Sequence, residues 1–298
     1  MGIVLNKLLI LYIFLLVGWF MGKRKPTLVS GTGLLSALLV NLFLPAKVFS
    51  IFAEGFTVAY IREKYVLLLG GTVMLLAVVG ISRLVAPRLT SVPFEQKVYR
   101  YSLTLSNYAY MGYVLMESLF GGGALTDLIL FCIPFALYTY TFGFWMLTGA
   151  ERSAGRLLNP LTVSLVLGIV FGLTGATLPG VIDSALNMAS ACVGPIGMLL
   201  TGLVLSAYSL KEVFFNKKAY PVVALRLLVL PLVTFLICRF LLPRTLLLPA
   251  LFVACMPCGL NTVIFPKFVG EDTLPGARLA LLSHLFSCIT VPFWISLI

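Results

Sequence analysis

Apolar residues run along this chain in blocks of about twenty, and polar residues gather between the blocks. A helix needs about 20 apolar residues to cross a hydrocarbon layer ~30 Å thick. Windows of that length predict ten spans, near residues 3–22, 30–52, 65–86, 101–120, 127–148, 160–178, 186–209, 219–241, 246–266 and 277–297. The stretches between them are too short to bury a core of their own. The pattern therefore predicts an all-α polytopic membrane protein whose function lies among its helices.

Two windows are interrupted near their centres. In the ninth, Cys255-Met-Pro-Cys-Gly-Leu-Asn-Thr-Val-Ile-Phe-Pro266 places Pro257, Gly259 and Asn261 in an apolar run, with Pro257 nine residues in from Leu248. Proline removes a backbone donor and clashes with the carbonyl four residues earlier, freeing polar groups that hydrocarbon cannot satisfy. In the fourth, Asn107-Tyr-Ala-Tyr-Met-Gly112-Tyr-Val114 lies at similar depth. If both helices unwind, two half-helices begin near the midplane with unpaired N–H groups and positive dipole ends. Two such ends can converge on one anion, with the amides of Asn107 and Asn261 orienting it. Broken helices at that depth typify transporter sites.

Ten spans divide into five and five, predicting units at 1–149 and 150–298. An odd number per half makes the second half enter the membrane from the opposite side, as an inverted repeat. A shift of 149 residues aligns Gly143-Phe144-Trp145-Met146 with Pro292-Phe293-Trp294-Ile295, and brings Pro45 within one residue of Pro195.

Composition narrows the class further. The chain has 298 residues, 60% hydrophobic and 10% charged, with a net charge of +11. Fifteen basic residues, among them Lys23, Arg24, Lys25, Arg152, Arg156, Arg226, Lys267 and Arg278, are assigned to one side, and six, including Lys47 and Lys64, to the other. Excess Lys and Arg mark cytoplasmic loops, which predicts both termini outside the cell membrane. This asymmetry accounts for most of the charge without a nucleic-acid partner, and anionic lipid is its natural contact. Lys23-Arg24-Lys25 after the first apolar run, with no small-residue cleavage pattern, predicts a retained first helix. The six cysteines all fall in apolar windows, where thiols act as small hydrophobes. Cys255 and Cys258, expected to share a helix face, form a pair whose thiolate chemistry an apolar core disfavours.

Each candidate residue carries a plainer alternative. Pro257 is a functional break or a tolerated kink; Asn107 and Asn261 contact substrate or bond helix to helix. Tyr108, Tyr110 and Tyr113 line a cavity or pack, and Tyr108 and Tyr110 cannot share a helix face unless the backbone unwinds. Glu117 carries a coupling proton or sits among outer headgroups. His284, the only histidine, titrates during coupling or stays neutral and bonded to a neighbouring helix. Lys267 and Arg278 draw in anions, pair with Glu271 and Asp272, or snorkel. Three scattered aspartates and one histidine supply no zinc or multi-carboxylate motif, and no phosphate-cradling loop is present. A gradient, of protons or sodium, is the energy source this leaves open, with no cofactor.

At these residues the chain resembles the auxin efflux carrier family, which includes plant auxin exporters and bacterial permeases for organic anions. Asn107 and Gly112 look like the family's Asn-x4-Gly-x-Pro pattern in span four, and Pro257, Gly259 and Asn261 like its span-nine crossover. Asn41, Pro45, Asn159-Pro160, Pro195 and Gly202 are similar to further landmarks. The resemblance implies two inverted five-helix repeats, with spans four and nine crossing at a substrate site that takes in Asn107, Tyr110, Gly112, Tyr113, Pro257, Gly259 and Asn261. It also implies a scaffold of spans one, two, six and seven, which forms a homodimer in the lipid bilayer. Spans three to five and eight to ten would then move as a transport unit, elevator-like or rocking, carrying a small organic anion such as a dicarboxylate or an auxin-like carboxylate. Two alternatives stand beside this, a receptor that binds without carrying and, with less support, an intramembrane enzyme. Val114 occupies the place of the family's proline, which predicts a weaker break in span four than in span nine.

Overall fold

A computed structural model describes residues 2–149, 159–215, 217–267 and 269–298. Arg152 and Arg156, the 149 to 159 connection and the start of the second predicted unit at residue 150 lie outside the described residues. Among the described residues the chain is helical, with no strand beyond one isolated bridge. Seven helical stretches are long and apolar enough to cross a membrane: α1 (Gly2–Arg24), α2 (Thr32–Glu54), α3 (Val58–Leu89), α5 (Tyr108–Thr148), α7 (Gly180–Ser206), α8 (Ala219–Phe240) and α11 (Leu274–Ile295). Between them lie α4 (Pro93–Thr104), α6 (Pro160–Thr174), α9 (Arg244–Cys255) and α10 (Asn261–Lys267). In α5 the helix turns a corner at Gly121, whose φ of 83° suits glycine. That corner falls between the predicted windows four and five, so α5 is two helical segments that meet at Gly121.

Polar and glycine positions decide which helices meet. In α1 the buried residues Leu8, Leu11, Leu15, Gly18 and Gly22 recur at helical spacing and form one stripe. That stripe lies on α7, where a Cβ at Gly18 would strike the Leu199 carbonyl and one at Gly22 the Ser206 side chain. Gly202 of α7 returns the contact against the Leu15 carbonyl. Half a chain later, Gly168 and Gly172 of α6 repeat the four-residue glycine spacing and lie against the backbones of Phe49 and Phe52 in α2. Without water between them, helices in lipid associate through such close van der Waals packing. The two pairs, α1 with α7 and α2 with α6, are both seated on glycines four residues apart.

The remaining helices pack around the two interruptions. Gly71 of α3 abuts the Phe131 carbonyl of α5, and Gly276 of α11 abuts the Thr262 carbonyl of α10. Pro231 in α8 cannot donate to the Leu227 carbonyl four residues back. The Trp294 indole N–H donates to that carbonyl instead, at 2.8 Å, and locks α11 to α8. Trp294 is thus buried rather than set among headgroups. The outer faces keep large apolar side chains such as Ile3, Leu34, Val73 and Ile289 exposed, which suits contact with hydrocarbon.

The glycine contacts make a simple test. Gly202→Val forces a side chain into the Leu15 backbone, and overpacking of this kind costs about 1–3 kcal/mol. Purified protein should unfold at a clearly lower temperature. Gly80→Ala, whose Cβ would meet nothing within 4 Å, should leave the midpoint unchanged. Equal midpoints for both variants would contradict the packing described.

Candidate functional site

The helix of α4 ends at Thr104, and Leu105, Ser106 and Asn107 run on without helical form before a π-helical turn, Tyr108–Gly112, opens α5. On the other side α9 ends at Cys255, Met256 is extended, and helix resumes at Asn261. The two gaps lie against each other as an antiparallel bridge between Ser106 and Cys258. The Asn107 N–H donates to the Pro257 carbonyl at 2.7 Å. Span four is therefore interrupted without a proline, and its gap, residues 105–107, is shorter than the gap at 256–260 in span nine. The Val114 methyls instead face Gly194 of α7, where a Cβ would come within 2.9 Å of them.

Every interrupted backbone here raises the question of where its hydrogen bonds go. The Cys258 N–H donates to Ser283 Oγ at 3.0 Å, and the Gly259 carbonyl accepts from Thr262 Oγ1 at 3.0 Å. The Asn107 carbonyl accepts from the Met111 and Gly112 N–H groups. The carbonyls at the ends of α4 and α9 turn to a residue that the charge asymmetry counted with the cytoplasmic side. Arg226 is 1% exposed inside α8, not at a cytoplasmic surface. Its Nη1 donates to Leu103 O at 3.0 Å, its Nη2 to Val253 O at 2.5 Å and its Nε to Met256 O at 3.2 Å. A charge seven residues inside an apolar window was the available signal, since an ionisable group at that depth is a functional candidate by default.

Around the bridge a narrow cleft is lined by Tyr101, Ser106, Asn107, Tyr110, Tyr140, Gly259 and Asn261, with Tyr108 also at its wall. Tyr108 and Tyr110 both reach it because the backbone is unwound into a π turn between them. The open space is about 30 Å³, room for one or two waters. Asn261 Nδ2 donates to Tyr101 Oη at 3.0 Å. Asn107 Nδ2 lies 3.1 Å from His284 Nε2, and His284 Nδ1 lies 2.7 Å from the Ala280 carbonyl. A carbonyl only accepts, so Nδ1 carries the proton and Nε2 accepts from Asn107. His284 stands behind Asn107, bonded to its amide and to the Ala280 carbonyl of its own helix. Ser106 Oγ is buried and has no hydrogen-bond partner.

Other singled-out residues separate from this cleft. Gly112 and Pro257 shape the crossing through their backbones rather than lining it. Tyr113 stacks edge-on with Tyr108 and lines a different pocket, against α2 and α6. Glu117, 45% exposed, accepts from Lys47 Nζ at 2.7 Å, and Lys47 is itself buried in α2. Cys255 ends α9 while Cys258 lies in the gap, so the two do not share a helix face. Lys267 reaches Thr32 Oγ1 at 3.4 Å, and Arg278 donates to the Glu212 carbonyl, while Asp272 caps the Leu274 N–H.

Beside the cleft, α10 also borders a cavity of about 370 Å³, lined by Thr32, Ser36, Tyr208, Ile264, Lys267 and Thr273 among others. Its size is that of a small-molecule site. Among the described residues no cluster of three or more His, Cys, Asp or Glu is placed to hold a metal ion.

Residues 3–154 and residues 152–295 each match the family model described as membrane transport protein, so that one model is filled twice in succession. No individual curated protein matches the chain. A multi-pass helical protein with two repeats, interrupted where those repeats face each other, is a membrane transporter by family, and the chain belongs to the membrane transport proteins of the auxin efflux carrier type.

Proposed function

We propose that this chain is a secondary transporter that moves a small organic anion, a dicarboxylate or an auxin-like carboxylate, across the cell membrane. The single observation that carries this reading is the antiparallel contact of Ser106 with Cys258, which sets the starts of α5 and α10 around one polar cleft. Helix starts present free N–H groups and a positive dipole end, so an anion is the solute such a cleft suits. Asn107 and Asn261 are held beside it by His284 and Tyr101. Tyr110 and Gly259 line the same cleft, Gly112 and Pro257 keep the backbone open, and Tyr113 supports Tyr108 from behind. The larger cavity along α10, with Lys267 in its wall, is of a size to admit such a solute.

In this reading ten spans form two inverted five-helix repeats, counting α4 with the start of α5 as span four and α9 with α10 as span nine. The doubled glycine packing of α1 on α7 and α2 on α6 supports a rigid scaffold, the part through which two copies would pair. The helices around the crossover then move against it, elevator-like or rocking. Lys23, Lys267 and Arg278 lie at the helix ends joined by contacts to Tyr208, Thr32 and Glu212. That shared basic end is assigned to the cytoplasm, with both termini outside.

Uptake of labelled dicarboxylates and indole acids into proteoliposomes tests the function. Asn107→Ala and Asn261→Ala each remove a hydrogen bond to a charged solute, worth about 1.5–3 kcal/mol, and should raise KM roughly tenfold or more. Unchanged kinetics in both variants would refute the site, and saturable binding without flux would identify a receptor instead.

The Lys47–Glu117 pair is the candidate for coupling. Glu117→Gln should abolish pH-driven accumulation while leaving exchange, and normal accumulation would rule the role out. Because Glu117→Gln strands the buried Lys47 ammonium, the variant should also unfold at a lower temperature than the double variant with Lys47→Met. The reverse order would contradict the ion pair.

A further inference from the structure

The interruption of spans four and nine exposes two kinds of helix end at the crossing. The starts of α5 and α10 face the cleft. The ends of α4 and α9 converge on one side chain, and each ends with carbonyls that no N–H of its own helix can reach. A helix end of this kind carries roughly half a negative charge. Two of them together amount to about one, held close in a protein interior where hydrocarbon offers no counter-ion.

Arg226 stands at that point. Its guanidinium bonds carbonyls of both helices, Leu103 from α4 and Val253 from α9, and also Met256 in the gap. It is 1% exposed. Among the described residues no carboxylate lies within ion-pair distance of it, since the ion pairs formed are Lys47 with Glu117 and Lys64 with Glu63 and Asp127. An unpaired guanidinium at this depth is costly unless something else carries negative charge. The backbone ends do so here. The π-helical turn Leu225–Val229, placed just before Pro231, is where α8 carries Arg226 inward.

We propose that Arg226 is the resident cation of the crossover: its guanidinium occupies the place, ringed by the carbonyls of Leu103, Val253 and Met256, that a mobile monovalent cation would otherwise fill. The charge that closes the crossing is then covalently attached. Substrate binding at the cleft requires no sodium ion at this position, and the crossing stays closed whether or not a cation gradient exists. The inference deepens the transporter reading for its consequence on coupling. Its own test measures no transport, so failure of one leaves the other standing.

The experiment uses the whole purified chain without substrate. Thermal unfolding midpoints are measured in sodium chloride and in choline chloride of equal ionic strength, together with saturable binding of sodium-22. Wild type should show the same midpoint in both salts and no saturable sodium binding. Arg226→Ala should lose midpoint in choline, regain part of it in sodium or with added ethylguanidinium, and acquire saturable sodium binding. Arg226→Lys, which keeps the charge, should stay insensitive to sodium. Equal losses in Arg226→Lys and Arg226→Ala, with no rescue by either cation, would overturn the proposal in favour of packing alone. If Arg226→Ala does not accumulate as folded protein, wild type still decides: a higher midpoint in sodium than in choline, or saturable sodium binding, would also overturn it.

Discussion

A polypeptide surrounded by hydrocarbon must satisfy each backbone N–H and C=O group from within. The rest of this molecule follows from how that requirement is met where two spans are broken. At the crossing, each gap supplies the other: Asn107 N–H reaches Pro257 O, and the Ser106 and Cys258 backbones pair as two short extended segments. What the gaps cannot supply comes from the helices around them, Ser283 from α11 and Arg226 from α8. Neither broken span would be tolerable in lipid alone, so the two breaks require each other.

The same logic separates the helices into two kinds. Where backbones are continuous, contact is made by glycine: α1 meets α7 and α2 meets α6 at distances that no side chain at Gly18, Gly202, Gly168 or Gly172 would permit. Where backbones are broken, glycine contacts persist, as at Gly276 against Thr262, and hydrogen bonds from buried polar side chains are added, as with Asn107, His284 and Arg226. Dry glycine seams resist displacement. Hydrogen-bonded crossings leave polar groups, such as Ser106 Oγ, that a solute can satisfy.

Much of the architecture was legible in the order of residues. Apolar blocks marked the helices because hydrophobic length is a direct requirement of the bilayer, and Pro257 marked its break because a missing N–H cannot be hidden. The break before Tyr108 was located by Asn107 and Gly112, and it forms without a proline because the gap of span nine supplies its backbone with a partner. Arg226 was misassigned because counting charges by side treats every cation near a span as a loop residue, and its three carbonyl partners lie 27 to 123 positions away in sequence. Tyr101 gave no sign of its bond to Asn261, 160 positions distant, and Lys47 none of its pairing with Glu117. Pairings that long are set by the crossing itself and become visible only when the chain is folded.

The crossing can be tested at a single bond. Residues paired across an antiparallel bridge hold their Cα atoms about 4.5–5.5 Å apart, within disulfide range. In a chain whose other five cysteines are replaced, Ser106→Cys should therefore form a disulfide with Cys258 on mild oxidation, detected by mass spectrometry of the linked peptides. Two free thiols under conditions that oxidise accessible control pairs would mean that spans four and nine do not meet at their interruptions, and the site built on that contact would be lost.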